Sequence, residues 1–257
     1  MKTSTLLRLA CLALLPLVAQ AELSNDSMIG PGLRWRPAYD GADSQKTELV
    51  PVVRYLGQPW FVRSTQGVLE AGVRTELGTG LHAGAQIAYE PGRLSGDSDF
   101  LRSHNMPDLK RSGSLGLQVE WDHKFGPVPV TLLARGRKHF DSERGLQMDL
   151  RASAGVFQSG PVSAGVFGQA VWANGRATNS YYCITPTQSV VAGLPAYEAG
   201  SGLLNTSFGL LWSVDLGPKW LVVGNLERRQ VRGDARNSPL VERTSNNSAS
   251  AGLAYRF

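Results

Sequence analysis

Asn246-Asn-Ser-Ala-Ser-Ala-Gly-Leu-Ala-Tyr-Arg-Phe257 closes a chain of 257 residues and decides how the rest is read. Ala249, Ala251, Leu253, Tyr255 and Phe257 share one face of an extended strand, while Ser248, Ser250, Gly252, Ala254 and Arg256 share the other. The first face is apolar and ends in aromatics; the second is small or polar. Such a strand suits a wall between lipid and a polar lumen, so the stretch points to a transmembrane antiparallel up-and-down β-barrel.

The opposite end carries a different signal. Lys2 and Arg8 precede the apolar run Leu9 to Val18, and Ala19-Gln20-Ala21 offers a small-x-small cleavage site, so residues 1–21 read as an export signal peptide. The run is shorter than the roughly 20 residues that a membrane helix needs. Leu9-Ala10-Cys11 resembles part of a lipobox, but most of the apolar run follows Cys11, which favours a cysteine inside the signal's core. Cleavage after Ala21 takes the formal charge from +5 to +3 and leaves Cys183 as the one cysteine, so no internal disulfide is expected. The basic residues are dispersed, a pattern that calls for no nucleic acid partner.

From residue 22 to 257 the alternation repeats. Met28 to Arg36, Glu48 to Leu56, Trp60 to Gln66, Leu69 to Leu77 and Leu81 to Glu90 read as strands. Leu115, Leu117, Val119 and Trp121 against Ser114, Gly116, Gln118, Glu120 and Asp122 make the cleanest alternation. Val128 to His139, Leu146 to Ala154, Val162 to Trp172, Leu204 to Asp215, Lys219 to Val231 and the closing stretch complete about 12 strands, an even number as bacterial barrels have. Leu204, Thr206, Phe208, Leu210, Trp212 and Val214 are expected on one face of their strand.

Tight turns at Gly57-Gln58, Gly78-Thr79, Gly126-Pro127, Gly160-Pro161 and Gly217-Pro218 alternate with longer loops, notably 91–111, 174–201 and 232–245. Short periplasmic turns and long external loops are how such barrels sit. Gln66-Gly67 is short where a long loop is expected. Aromatics near strand ends, Trp35, Trp60, Tyr89, Phe125, Trp172 and Trp220 among them, suit interfacial girdles that meet outer-membrane lipid and lipopolysaccharide. An exported soluble sandwich would share the alternation but leaves Phe257 without a purpose.

Chemistry is sparse. His82, His104, His123 and His139 are far apart and imply no metal site, and no cofactor motif is present. Gly78-Thr79-Gly80 reads as a hairpin and not a phosphate loop, because a strand follows it. His139 with Ser142 is the one candidate hydrolytic dyad, set against an ordinary polar histidine. Asp97-Ser98-Asp99 reads as turn carboxylates. Arg135, Arg137 and Arg151 form a candidate basic cluster in the lumen. They would either favour anions in a small pore or pair with Glu120 and Asp149 and fill it.

The loops carry a resemblance. Gly30-Pro31-Gly32, Pro37-Ala38-Tyr39-Asp40-Gly41-Ala42-Asp43, Tyr89-Glu90-Pro91-Gly92-Arg93, Trp172-Ala173-Asn174 through Ser180-Tyr181-Tyr182, Gly193-Leu194-Pro195-Ala196-Tyr197 and Gly233-Asp234-Ala235-Arg236-Asn237-Ser238-Pro239-Leu240 resemble the MipA/OmpV family of MltA-interacting outer-membrane proteins. Cys183 departs from it, standing where the family more often has glycine. The resemblance implies Pro37, Tyr39, Gly41, Asp43, Gly92, Arg93, Gly233, Asp234, Ser238 and Pro239 as family loop positions, and Tyr255 and Phe257 as the assembly signal. It also implies a Gram-negative outer-membrane barrel without enzymatic activity that joins a murein lytic transglycosylase to a penicillin-binding protein. A small pore or a surface receptor acting through the long loops is the alternative.

Overall fold

A computed structural model describes residues 26–257. The expected signal peptide at 1–21 and its cleavage site lie outside the described residues. Twelve antiparallel strands close into one barrel, each paired to its sequence neighbours, with the last returning to the first. They are β1 (Met28–Pro37), β2 (Gln45–Leu56), β3 (Trp60–Thr65), β4 (Val68–Gly78), β5 (Leu81–Glu90), β6 (Ser112–Phe125), β7 (Val128–His139), β8 (Leu146–Ser159), β9 (Val162–Ala173), β10 (Gly202–Asp215), β11 (Trp220–Val231) and β12 (Ser245–Arg256). Three short helices, α1 (Asp99–Ser103), α2 (Gly175–Tyr182) and α3 (Pro186–Ala192), lie in the long loops.

Alternation sets the two faces of the wall. Leu115, Leu117, Met148, Leu150 and Phe208 are exposed outward, whereas Ser114, Gln118, Glu120, Gln147 and Asp149 are buried inward. Exposed Trp35, Tyr89, Phe140 and Trp172 ring the long-loop rim, and Tyr55, Trp60, Phe125, Trp220 and Phe257 ring the short-turn rim. No described helix is long and apolar enough to cross a membrane.

Two expectations about facing change. Leu204 is buried inside because the register between β10 and β9 shifts at Leu203/Asn205, and the bulge turns its side chain inward. Part of the inner face is apolar as well, where Met28, Leu221 and Ala254 cluster with Val52 and Val223.

The closing seam needs small residues. β1 runs beside β12 with Gly32 opposite Gly252 and Trp35 opposite Ala249. A Cβ on Gly30 would stand 1.9 Å from the Leu253 carbonyl oxygen, a backbone atom that cannot yield without opening the seam. Gly30→Val is therefore expected to abolish the compact, heat-modifiable form on unboiled gel electrophoresis, whereas replacement of exposed Leu49 by Val leaves it intact.

One stretch of wall is incomplete. β3 has six residues and pairs with β2 only through Arg54–Arg63, Tyr55–Val62 and Leu56–Phe61. The strands are staggered, so Arg54 near the inner end of β2 is in register through Arg63 and Glu70 with Ala88 near the outer end of β5. The β3–β4 hairpin thus stops at Gln66-Gly67 while β2 continues outward from Val53 to Gln45.

Candidate functional site

The site is the lumen, organised in layers. A chain of alternating charges crosses it: Glu120 holds Arg63 at 2.8 Å, Arg63 holds Glu70 at 2.8 Å, and Glu70 holds Arg135 at 2.5 Å. Arg135 continues to Asp149 at 2.8 Å; Arg137 meets Asp149 at 3.6 Å and Glu90 at 3.0 Å. Arg74 adds a second cation on Glu120 at 3.3 Å. All of these except Arg74 are buried side chains, and Glu70 is fully enclosed. Period-two alternation brings each inward, and the barrel's curvature lets β4 reach β7 and β3 reach β6.

The basic cluster is therefore split. Arg135 and Arg137 are neutralised by Glu70, Glu90 and Asp149, and Glu120 serves Arg63 and Arg74, correcting the expectation that it pairs with the cluster. Arg151 bonds the Gln169 side chain at 3.1 Å and lies 3.9 Å over the Phe167 ring.

The outer mouth is capped. Ala38, Tyr39, Ala42, Leu101, Met106, Ile184, Ala192 and Leu240 form one hydrophobic cluster drawn from four different loops. Fully buried Leu101, Ile184 and Leu240 each contribute about 1.5–3 kcal/mol by leaving water.

The family loop positions are the fastenings of this cap. Tyr39 donates to the Leu240 carbonyl at 2.9 Å, and the Gly41 carbonyl accepts from the backbone N–H groups of Glu242 and Arg243. Asp43 pairs with Arg243, and Arg93 donates to the Tyr181 carbonyl while stacking over Tyr39. Asp234 accepts from Gly200 N–H at 3.0 Å, and Ser238 donates to the Tyr182 carbonyl at 2.7 Å. Pro37 accepts from Arg36 at the end of β1; Gly92 adjoins the bridge between Arg93 and Leu109. Gly233 opens the turn that holds Asp234, and Pro239 precedes buried Leu240. Cys183 follows α2 at φ −76°, ordinary extended backbone where glycine is not required. Burial raises its thiol pKa, with Glu198 adding to the rise.

The dyad does not form. His139 is enclosed in the lumen 3.7 Å from Glu90, whereas Ser142 lies in an exposed outer turn. Asp97 pairs with Lys46, Ser98 caps α1 and Asp99 pairs with Arg102, so the three make no ion site. No group of three or more metal-ligating side chains occurs among the described residues. Tyr255 packs edge-on against Trp220, and Phe257 donates its N–H to the Ser27 carbonyl at 3.1 Å.

Three cavities among the described residues bear on the lumen. Beneath the cap, about 170 Å³ is lined by Arg34, Arg36, Gln66, Arg93, Arg137 and Arg229 among others. Beside it, about 180 Å³ lies against Met28, Val50, Val52, Leu211, Leu221 and Val223. Below the ionic chain, about 580 Å³ reaches Thr79, Gly80, His123 and Lys124 at the short-turn rim.

What sequence reading missed is the incomplete wall. Its signals were the short Gln66-Gly67 turn and Pro51 inside a strand. Pro51 faces Pro31, so that pair exchanges no hydrogen bonds and the Pro51 nitrogen points to the open side of β2, leaving no unpaired donor at that position.

Removing Glu70 strands Arg135 and Arg63. Glu70→Ala is expected to lower stability by about 3–5 kcal/mol, measured by urea unfolding in lipid vesicles. The cap has a pH dependence. Burial opposes the Asp40 charge, but Arg229, with which it pairs at 2.9 Å, and then Arg36 and Arg34 outweigh it and hold its pKa below 3.8. This stabilisation is complete above pH 3.8 and is lost as pH falls through the lower folded-state value. Hydrogen exchange in 174–201, corrected for intrinsic rates, is expected to accelerate on acidification to about pH 3. Asp40→Asn should exchange fast at either pH.

Comparison places this architecture among outer-membrane barrels. An outer-membrane channel from Pseudomonas putida F1 superposes with a TM-score of 0.52 at 11% identity, covering 91% of this chain and 97% of that one. A bacterial polysaccharide outer-membrane secretin superposes at 0.45 with 10% identity, over 91% and 99% of the two chains. No curated protein gives a match. The family model for MltA-interacting protein MipA matches residues 29–257. With a closed barrel, lipid-facing apolar strands and that match over nearly all described residues, the chain is a Gram-negative outer-membrane protein that belongs to the MipA family.

Proposed function

We propose that this barrel is a non-enzymatic scaffold that holds peptidoglycan-remodelling enzymes at the inner face of the outer membrane. One partner is a lytic transglycosylase of the MltA kind, as the family's description suggests; a penicillin-binding protein is the second. The observation that carries this reading is the polarity of the lumen. The outer mouth is packed shut by loop side chains, whereas the inner vestibule of about 580 Å³ reaches the periplasmic rim. Short periplasmic turns alone offer little area, but an open vestibule lets a partner insert a segment and bury side chains on Arg54, Glu120, Asp122 and Lys124. His139 is enclosed beside Glu90 while Ser142 lies in an exposed turn with no hydrogen bond between them, which speaks against a hydrolytic dyad.

Immobilised barrel in detergent is expected to retain murein lytic transglycosylase and penicillin-binding protein from an envelope extract, and to lose them when Thr79→Trp narrows the vestibule. Planar bilayers are expected to stay silent. Discrete conductance steps with no captured enzyme would instead establish the small pore. Lipid deacylation that disappears in His139→Ala would overturn the non-enzymatic reading.

A further inference from the structure

The opening in the wall lies in front of two dissimilar cavities. Its frame is β2 from Gln45 to Val53 on one side, the β3–β4 tip at Thr65 to Val68 below, and the end of β5 with Pro91 to Arg93 on the other side. Lys46 spans the top to Asp97 at 2.5 Å. The inward residues here, Lys46, Glu48, Val50 and Val52, are only partly covered. At the lower corner Ser64 takes the place of a strand partner, accepting from Val53 N–H at 3.0 Å.

The cavity under the cap has an excess of cation. Six arginines line it against the carboxylates Asp40, Glu70 and Glu90. Arg36, Arg135, Arg137 and Arg229 spend their charge on close acids. Arg34 has Glu48 no nearer than 3.9 Å, and Arg93 has no carboxylate partner among the described residues. Three buried nitrogens on this lining, Gln66 Nε2, Arg93 Nε and Arg137 Nε, lack any hydrogen-bond partner, and Arg93 and Arg137 are more than nine-tenths buried. Buried donors of this kind cost free energy unless an acceptor arrives.

The second cavity has an apolar wall of Val50, Val52, Leu211, Leu221 and Val223, with Arg54, Ser64, Ser213, Asn225 and Ser250 on the remainder. Arg34 and Gln66 line both cavities, so the two meet at a cationic head position. The Arg34 guanidinium is set there by the hairpin: a Cβ on Gly67, which has φ +81°, would strike Arg34 Nη1 at 2.1 Å.

We propose that the two cavities form one binding site for an anionic single-chain amphiphile, its acidic head on Arg34, Gln66 and Arg93 and its chain among Val50, Val52, Leu221 and Val223. The head satisfies donors that the fold leaves unpaired, and the chain fills space that water occupies unfavourably. The wall opening gives the site access from the side. The chain cavity adjoins the vestibule assigned to protein partners through Arg54, Ser64, Gln66, Leu211 and Asn225, but amphiphile binding is read with no protein partner present, so the two readings can fail independently.

The test uses the full barrel refolded in non-ionic detergent, with dansylated undecanoic acid as the fluorescent probe and decanoate, decyl phosphate and decyltrimethylammonium as competitors. The probe is expected to bind and to be displaced by both anions but not by the cation. A stronger carboxylate marks a fatty acid and a stronger phosphate marks a phospholipid-derived ligand; either order supports the site. Arg34→Gln should weaken binding at least about ten-fold, the equivalent of one charged hydrogen bond. Val50→Trp, which occupies the chain cavity, should abolish binding, with heat-modifiable migration confirming that each variant is folded. Equal displacement by the cation, absence of probe binding, or unchanged affinity in a folded Arg34→Gln barrel would overturn the proposal.

Discussion

Inside lipid every backbone N–H and C=O must find a partner within the protein, and this constraint governs the whole chain. It requires β12 to return to β1, which in turn requires glycine at Gly30 and leaves little room for a side chain at Gly252 where the two strands approach. It also explains the form of the wall's exception. Where β2 runs on without a strand beside it, Pro51 presents no donor, Ser64 substitutes for a strand at Val53, and the edge lies toward the long-loop rim.

Closing the wall creates a second demand, because inward side chains must be satisfied without bulk water. The barrel meets it by alternation of charge: from Glu120 to Glu90, each carboxylate on the chain touches an arginine from a different strand. Such a chain is costly to assemble and more costly to interrupt, since losing one member leaves its neighbours buried and unpaired. On the β3–β8 side it lies between the space under the cap and the vestibule at the short-turn rim, whereas beside β2, β10 and β11 the second cavity continues into that vestibule.

Several of the loop residues that carry the family likeness fasten one loop to another. Tyr39, Arg93, Asp234 and Ser238 each bond a backbone group of another loop. Their spacing is fixed because four loops must meet over one mouth. Leu101, Met106, Ile184 and Leu240 from those loops are packed into the cap, whereas Val190 and Val191 of α3 stand exposed on its outer side.

The sequence by itself determined the strands, their number, their facing and the two kinds of rim. Those features follow from period-two alternation and from Gly, Pro and Asp at turns, all local properties of the chain. It also marked Arg135 and Arg137 as lumenal. Tertiary structure alone decided their partners, because Glu70 lies on a strand three removed from Arg135 and only curvature brings them together. It decided as well that Leu204 turns inward at a bulge, that distant loops form a lid, and that the short Gln66-Gly67 hairpin leaves an opening before Arg34. Each of these depends on stagger between strands, and stagger is set by pairing around the closed barrel, a quantity that no single stretch of sequence contains.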